Sequence, residues 1–528
     1  MKQISDIKPL HPGLNEVLLT IYLTFISISS VYLYVTRQKL ALVLIIAGML
    51  AVYYFISSVI IRILKKISIR PSSGADTRKL ICVFAVTFIV SMAVLLICFM
   101  AAFPGTLETD CLTQFKQTLS GQYDDWHPVW HTLVYYTFPY MLTGQVYSIT
   151  LFQLIYFALS LAYMTVIIYK HAGAAWSIIS YLYIVLNPFT LFSVVSPLKD
   201  VGFSTACLVA MTIAADIFFD KSDKKVSPVK YAILGFMITN AAIFRQNGLL
   251  FSFFLLFALF FHMSRLGWLV TTCVCVLSYI IIQGPVNTLV GTAHSDTAVI
   301  QVVGLPLSII GNVAKDTPEL MDEETEEFVY GIAPREVWEE RYNRGDFNLM
   351  KYGGLHDPDV IEEKGIWPIV KMAARCTIAS PQASLEAFFA LTDFVYGFDI
   401  RNKQYIDVCV LGGDENDLGI EYTGNPTLAE GMFTYYELST AKGFNFAFKL
   451  GFTLLIVIAS ILASCRLNVF EDWKRIFLAF PILAYDFGTM LLLSGHDARF
   501  FLVSFWICPL TVLIMLGKTA ANGEQRSL

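Results

Sequence analysis

Long apolar runs dominate this sequence, and each has about the length that a helix needs to cross a membrane. A bilayer core about 30 Å thick takes roughly 20 helical residues. Because 56% of the residues are hydrophobic and only 15% are charged, a soluble domain could not bury the apolar surface. The chain is therefore predicted to be an all-α integral membrane protein. The runs lie near residues 15–36, 40–62, 80–102, 146–169, 175–196, 201–219, 268–285, 443–465, 476–494 and 499–517.

The basic residues indicate how these runs are oriented, because connections rich in lysine and arginine stay in the cytoplasm. With those connections inside, residues 103–145 face outward, and the topology requires two short spans within 231–262 that turn at 245–248. That gives about 12 spans with both termini cytoplasmic. Residues 231–244 are short for a crossing, so a single span there remains the alternative. The basic connections contain Arg62, Lys65, Lys66, Arg70, Arg78 and Lys79, then Lys221, Lys224, Lys225 and Lys230, and later Arg466, Lys474 and Arg475.

Two polar regions separate the apolar runs and define the predicted domains. Residues 1–285 form an N-terminal membrane region of about nine spans, whose outer loop at 103–145 carries amphipathic helices. Residues 286–442 form an acidic extracytoplasmic loop domain, which holds 26 of the 42 acidic residues but 11 of the 37 basic ones. Residues 443–528 form a C-terminal membrane region of about three spans.

The large loop domain is predicted to be mainly helical. Thr317 before Pro318 and Ser380 before Pro381 are typical of helix starts, and Gly397 is typical of a helix end. Cys376 and Cys409 lie in this loop, and whether they form a disulfide is left open.

The first outer loop reads FPGTLETDCLTQFKQTLSGQYDDWHPVW over residues 103–130. Leu112, Phe115 and Leu119 recur at helical spacing until Gly121, which predicts an amphipathic helix on the outer membrane surface. A second helix is expected after His127, with Pro128 at its first position.

Polar and ionisable side chains at the predicted outer turns are candidates for a substrate site, because such groups commonly mark a substrate path at the edge of an apolar core. Each also has an ordinary explanation. Asp110 fits a helix N-cap and Lys199 fits a snorkelling lysine, while the HDARF sequence at 496–500 fits an interfacial turn. The candidates are Glu108, Asp110, His127 and His131, then Lys199 and Asp200, Arg245 and Asn247, and His496, Asp497 and Arg499.

These segments resemble the GT-C class of membrane glycosyltransferases, which includes protein O-mannosyltransferases and lipid A aminoarabinose transferases. The resemblance rests on the E-T-D tripeptide at 108–110, SPLKD at 196–200, FRQNGLL at 244–250 and the large outer loop late in the chain. It is nearest to a bacterial multi-spanning family with PGxxxxD and WHP in the first outer loop. The chain departs from the class by placing two spans before the loop-bearing helix and by lacking the W-W-D tripeptide of oligosaccharyltransferases.

The resemblance implies an inverting transfer of one sugar from a polyprenyl-phosphate carrier to a hydroxyl of a cell-envelope glycan, lipid or protein. The reaction would occur at the outer leaflet of a bacterial plasma membrane, with the lipid-linked sugar as co-substrate and no metal or other cofactor. A hydroxyl nucleophile needs a carboxylate base, for which Asp110 is the first choice and Glu108 the second. Arg245 is expected to contact the carrier phosphate, with Lys199 as a further cation. His127 or His131 would bind the sugar or the phosphate.

Three other functions stay open or are disfavoured. A transporter or flippase of lipid-linked saccharides is the alternative from another class, although no inverted repeat is visible. A polysaccharide polymerase or ligase is the alternative enzyme, although such proteins would use arginines in the large loop. His127 and His131 have zinc-ligand spacing, but the HPVWH sequence lacks the glutamate of H-E-x-x-H, which disfavours a metalloprotease. No feature predicts nucleic-acid binding.

Overall fold

A computed structural model describes residues 13–35, 39–67, 69, 76–220, 227–295, 299–397, 411–440, 445–465 and 470–517. These described residues are mainly helical and contain no β-strand. The prediction of an all-α protein is therefore confirmed. Cys409 lies outside the described residues, as do Lys221, Lys224, Lys225, Arg70 and Arg466 from the basic connections.

The first part of the chain supplies most of the membrane body, by which we mean the described residues within 13–295 and 445–517. Its helices are α1 (Leu14–Val35), α2 (Lys39–Lys66), α3 (Thr77–Ala101), α4 (Thr109–Ser120), α5 (Val129–His131), α6 (Phe138–Thr143), α7 (Tyr147–Ala172), α8 (Ala174–Val185), α9 (Pro188–Ser193), α10 (Lys199–Asp220), α11 (Pro228–Phe244), α12 (Gly248–Phe260), α13 (Arg265–Ile281) and α14 (Asn287–Leu289). Two π-helical segments, Thr132–Thr137 and Ile282–Val286, continue α5 and α13.

The later helices build the loop domain and complete the membrane body. They are α15 (Gly304–Asp316), α16 (Glu323–Ile332), α17 (Arg335–Glu340), α18 (Asn348–Tyr352), α19 (Pro358–Lys364), α20 (Ile366–Ala379), α21 (Pro381–Tyr396), α22 (Pro426–Thr440), α23 (Leu450–Ser464), α24 (Phe470–Ile476), α25 (Phe480–Met490) and α26 (Leu502–Leu516).

Among the described residues, six helical segments are long and apolar enough to cross a membrane. This finding supports a membrane protein, while the count of about 12 spans stays a prediction. Shorter apolar helices such as α8, α11, α12 and α23 lie among the long ones. The six segments are Ala41–Lys66, Thr77–Ala101, Tyr147–Ala172, Lys199–Asp220, Arg265–Leu289 and Ala498–Leu516.

The region 231–262 forms two helices that fold back on each other. Helix α11 ends at Phe244 and α12 begins at Gly248, so the predicted turn at 245–248 is confirmed. The Ser252 hydroxyl donates to the Ile238 carbonyl at 3.0 Å, as expected for an antiparallel pair around this turn. Whether each short helix crosses the membrane stays a prediction.

Residues 299–397 are part of the predicted loop domain at 286–442, and from here on the name loop domain refers to them alone. They have their own apolar core around Trp338, Phe347 and Met350. Its last helix, α21, begins at Pro381 and is followed by Gly397, as predicted. The C-terminal half of α21 packs into the membrane body, where Tyr396 contacts the Phe25 ring at a centroid distance of 5.2 Å. This helix therefore joins the two parts of the molecule.

Three local predictions need correction. Pro318 begins only a short 3₁₀ turn, and the helix that follows starts at Glu323 with the Asp322 carboxylate accepting from the Thr325 amide at 2.8 Å. Pro128 precedes the second helix of the first loop instead of opening it. The run 175–196 breaks between α8 and α9 at Asn187, whose side chain caps α9.

Candidate active site

Helix α4 presents Asp110 to the solvent side of the first loop. It runs from Thr109 to Ser120 and is followed by Gly121, whose left-handed φ of 67° favours glycine. The predicted helix is therefore confirmed, while its position on the outer membrane surface stays a prediction. Cys111 and Phe115 are buried on one face, whereas the Asp110 side chain remains 38% exposed. Residue Glu108 occupies the N-cap position of α4 but makes no side-chain cap bond. Asp110 lies in the first turn and is not the N-cap.

The SPLKD segment places Lys199 at the first residue of α10. Its backbone is held from two sides, because the Tyr136 hydroxyl donates to the Pro197 carbonyl at 2.7 Å and the Gln153 amide donates to the Ser196 carbonyl at 2.7 Å. These bonds anchor the turn from which the Lys199 side chain extends.

The His127 ring lies between the side chains of Lys199 and Asp110. Lys199 Nζ donates to His127 Nδ1 at 3.2 Å, which leaves the proton of a neutral imidazole on Nε2. His127 Nε2 lies 3.9 Å from Asp110 Oδ1. Among the described residues, no group hydrogen-bonds the Asp110 carboxylate, and Lys199 forms no ion pair with a carboxylate.

The electrostatics of this trio favour an ionised carboxylate beside a neutral histidine. Burial by itself would raise the pKa of Asp110, but the positive charges around it, Lys199 first and also Arg499 and Arg245, hold that pKa below its ordinary value. Burial and the adjacent Lys199 lower the pKa of His127 to about 4. Asp110 is thus a carboxylate that can accept a proton while His127 stays uncharged.

Arg245 and Asp200 form a buried ion pair at the turn between α11 and α12. Arg245 Nε also donates to Asn247 Oδ1 at 3.1 Å, and the guanidinium carbon lies 4.4 Å from the centre of the Phe500 ring. The Asn247 amide in turn donates to the Thr489 hydroxyl at 2.7 Å. The guanidinium is therefore held by protein groups on several sides.

Glu108, Asp497 and Arg499 form a second paired set. Arg499 Nη1 lies 3.2 Å from Glu108 Oε2, and Arg499 Nε lies 2.5 Å from Asp497 Oδ2. These contacts join the first loop to the connection between α25 and α26. Of the two acids predicted as bases, Glu108 is thus paired with an arginine, whereas Asp110 has no arginine or lysine partner in the part of the chain that the structure describes.

We refer to these nine residues as the Asp110 cluster. Their segments meet at the N-terminal end of α10, and the convergence that we predicted for these turns is therefore observed. The cluster comprises Glu108, Asp110, His127, Lys199, Asp200, Arg245, Asn247, Asp497 and Arg499.

Two candidate histidines have packing roles instead. His131 is fully buried, stacks on Tyr135 at a centroid distance of 4.5 Å, and its Nδ1 lies 2.8 Å from Gln114 Oε1. His496 Nε2 donates to the Ala390 carbonyl at 2.7 Å and so joins the α25–α26 connection to the loop domain. Neither ring lies within hydrogen-bond distance of the Asp110 carboxylate.

Lys351, which belongs to α18 of the loop domain, was not predicted as a site residue. Its Nζ donates to Gln301 Oε1 at 2.6 Å, and the Asp110 charge acts on it. The only sequence signal for Lys351 was its positive charge in an otherwise acidic region. Its position near the cluster could not be predicted, because it depends on tertiary contacts of α18.

A second charged cluster lies at the other end of α10. The 22 residues of this helix rise about 33 Å, so the two clusters are well separated. Potential ligand atoms of His171, Asp216 and Asp220 lie within 4.8 Å of one another, but Lys170 Nζ is already 2.8 Å from Asp216 and 2.7 Å from Asp220. Lys230 also contacts Asp216. The carboxylates are thus neutralised by protein cations, and we call these five residues the Asp216 cluster.

The chain belongs to DUF6020, a family of unknown function whose model matches residues 14–408. This match includes most of the Asp110 cluster and Lys351, but not Asp497 or Arg499. No curated protein and no solved structure matches the chain.

Proposed function

We propose that this DUF6020 member is a membrane glycosyltransferase of the GT-C type, which moves a sugar from a polyprenyl-phosphate carrier to an acceptor hydroxyl. One observation carries the proposal. Among the described residues, the Asp110 carboxylate accepts no hydrogen bond and the Lys199 ammonium pairs with no carboxylate, and His127 lies between them. The other acids and cations of the cluster hold each other in ion pairs.

Asp110 is the proposed general base. Its carboxylate accepts the proton of the acceptor hydroxyl while that oxygen bonds to the anomeric carbon. The bond from the anomeric carbon to the phosphate oxygen breaks on the opposite face, so the sugar configuration inverts. The carrier leaves as a phosphate monoester, and Asp110 holds the proton.

Lys199 is the proposed contact for the leaving phosphate. Negative charge grows on that phosphate as the bond breaks, and a cation already in place stabilises it. Arg245 is less suited than predicted from sequence, because it would have to leave Asp200 to bind a lipid phosphate. In this proposal Arg245 instead holds the α11–α12 turn beside the site.

His127 is proposed to position the two reacting groups. It accepts from Lys199 and directs its Nε2 toward Asp110, so it fixes both the lysine and the space next to the base. The reaction takes place at the outer leaflet if residues 103–145 face outward, as the positive-inside rule predicts. The donor is a lipid, which accords with a site at the end of an apolar helix.

The direct test is to delete the gene from its host and compare the cell-envelope glycans by mass spectrometry. We expect one sugar to disappear from a glycan, lipid or protein. Its lipid-linked form should accumulate and should be distributed between the two leaflets as in the wild-type host. A plasmid copy of the wild-type gene should restore the sugar. Unchanged glycans would contradict the proposal, and lipid-linked saccharides retained on the inner leaflet would indicate a flippase instead.

A further inference from the structure

Helix α18 of the loop domain is fixed against the connection that carries Asp497 and Arg499. The backbone N–H of Asn348 donates to the Ser494 carbonyl at 3.1 Å, and the Ser494 hydroxyl donates to Asn348 Oδ1 at 2.7 Å. A Cβ on Gly495 would lie 2.5 Å from Asn348 Nδ2, so a larger residue there would displace the Asn348 side chain. The position of α18 relative to the Asp110 cluster is therefore set by direct contacts.

Lys351 is the cation that α18 presents. Its ammonium donates to Gln301 Oε1 at 2.6 Å and lies 4.9 Å from the centre of the Tyr352 ring. Among the described residues it forms no ion pair with a carboxylate, although the loop domain is rich in acids. Burial lowers the pKa of Lys351 to about 8, while the charge of Asp110 opposes that shift. The ammonium thus lies in the field of the proposed base.

We propose that Lys351 binds an anionic group, a phosphate or a carboxylate, carried by the acceptor whose hydroxyl Asp110 deprotonates. This inference rests on the proposed function and names the acceptor class. Lys199 is the first residue of an apolar helix of the membrane body. Its single positive charge matches the single negative charge of the phosphodiester in the lipid donor. Lys351 belongs to the loop domain, and its neighbours Leu349 and Tyr352 are 49% and 73% exposed. An acceptor arriving from water meets Lys351 on this exposed side.

The partners of Lys351 favour an anionic acceptor over a neutral one. Among the described residues, the charged cluster members Asp110 and Lys199 make no ion pair closer than the 3.9 Å between His127 and Asp110, and Lys351 makes none with a carboxylate. A bound donor phosphate neutralises Lys199. A neutral acceptor would then leave the half-buried Lys351 ammonium on the amide oxygen of Gln301, whereas an anionic acceptor gives it a charged hydrogen-bond partner.

The experiment uses the full-length protein in nanodiscs of phosphatidylcholine, with polyprenyl phosphate as the lipid probe. The water-soluble probes are glycerol 1-phosphate, glycerate and glycerol, which differ only in their anionic group. Binding is measured for the wild type, Lys351→Gln and Lys199→Gln by calorimetric titration with and without polyprenyl phosphate. Lys371→Gln, at an exposed lysine on α20, is the matched control.

We expect lipid-loaded wild-type protein to bind at least one of the two anionic probes and not glycerol. Lys351→Gln should weaken that binding about tenfold, while polyprenyl phosphate binds within twofold of wild type and the control matches wild type. The inference is overturned if neither anionic probe binds, if Lys351→Gln binds them normally, or if it loses polyprenyl phosphate to the same degree. If Lys199→Gln keeps full affinity for polyprenyl phosphate while the Lys351 result holds, the proposed function fails and the anion site stands.

Discussion

At the C-terminal end of α10, the Asp216 carboxylate contacts Lys170, His171 and Lys230, whereas at the N-terminal end no group hydrogen-bonds Asp110 among the described residues. Both clusters are rich in charge and partly buried in a membrane protein. A saturated cluster has no charge left for a ligand, so its contribution is to hold α7, α10 and α11 together. An unsaturated one keeps a carboxylate and an ammonium for something that the protein does not itself supply.

The largest expected effect comes from Asp110→Asn, which keeps the shape of the side chain and removes the base. We expect sugar transfer to fall about a thousandfold, in the range typical of a lost general base. The measurement is the amount of transferred sugar in the deletion strain that carries the variant. The matched control is Asp417→Asn. Asp417 is an exposed acid outside α4, and it pairs with Lys116, which lies on α4 as Asp110 does. Normal transfer by Asp110→Asn would remove this residue from the mechanism.

Lys199→Gln tests the ammonium of the same cluster. A charge-assisted hydrogen bond to phosphate contributes about 1.5–3 kcal/mol, so affinity for polyprenyl phosphate should fall roughly 10- to 100-fold. Arg245→Lys, which retains a charge beside Asp200, should bind the lipid phosphate nearly normally. A larger loss for Arg245→Lys than for Lys199→Gln would restore Arg245 as the phosphate contact.

Asp216→Asn is expected to affect stability and not chemistry. Removing one partner of a buried ion pair typically costs about 3 kcal/mol, and the lysines here keep some contact with water, so the cost should not exceed this. Thermal unfolding of the purified protein should occur at a lower temperature, while transfer per folded molecule stays normal. Unchanged stability with lost transfer would give this cluster a functional role and end the contrast between the two.

Glu108→Gln separates the paired acid from the unpaired one. The amide can still accept from Arg499 Nη1, so the contact at 3.2 Å is kept without its charge. We expect transfer to fall less than tenfold, because the Arg499 guanidinium also retains Asp497. A loss as large as that of Asp110→Asn would show that the wrong acid has been named as the base.

The pH dependence is expected to be flat where histidines usually titrate. Positive neighbours lower the pKa of Asp110, so its carboxylate binds a proton only at a pH below the ordinary range and is ionised above it. With a pKa of about 4, His127 is neutral over the same interval. Transfer measured as kcat/KM should therefore be constant between about pH 5 and 7. A step near pH 6.5 that disappears in His127→Gln would contradict this assignment.

Much of the fold followed from local signals in the sequence. Gly121 ends α4, the turn at Arg245 divides two helices, and Pro381 begins α21, because each position depends on backbone preferences of neighbouring residues. The convergence of the outer turns at one end of α10 also matched expectation. These features need no knowledge of distant contacts.

What the sequence could not predict depends on pairing between distant segments. Arg245 was chosen for the phosphate because its guanidinium suits that role, but the structure commits it to Asp200. Lys351 was missed because α18 reaches the cluster through Asn348 and Ser494, which are far apart in the chain. Whether a charge is paired is a property of tertiary structure, and that property distinguishes the two ends of α10.

The most direct test is an experimental structure of the full-length protein in nanodiscs with polyprenyl phosphate bound. The account predicts lipid phosphate oxygens within hydrogen-bond distance of Lys199 Nζ, with Asp110 open to the position from which an acceptor would approach. A lipid phosphate bound instead at the Asp216 cluster, or held by Arg245 after separation from Asp200 while Lys199 stays unoccupied, would contradict it.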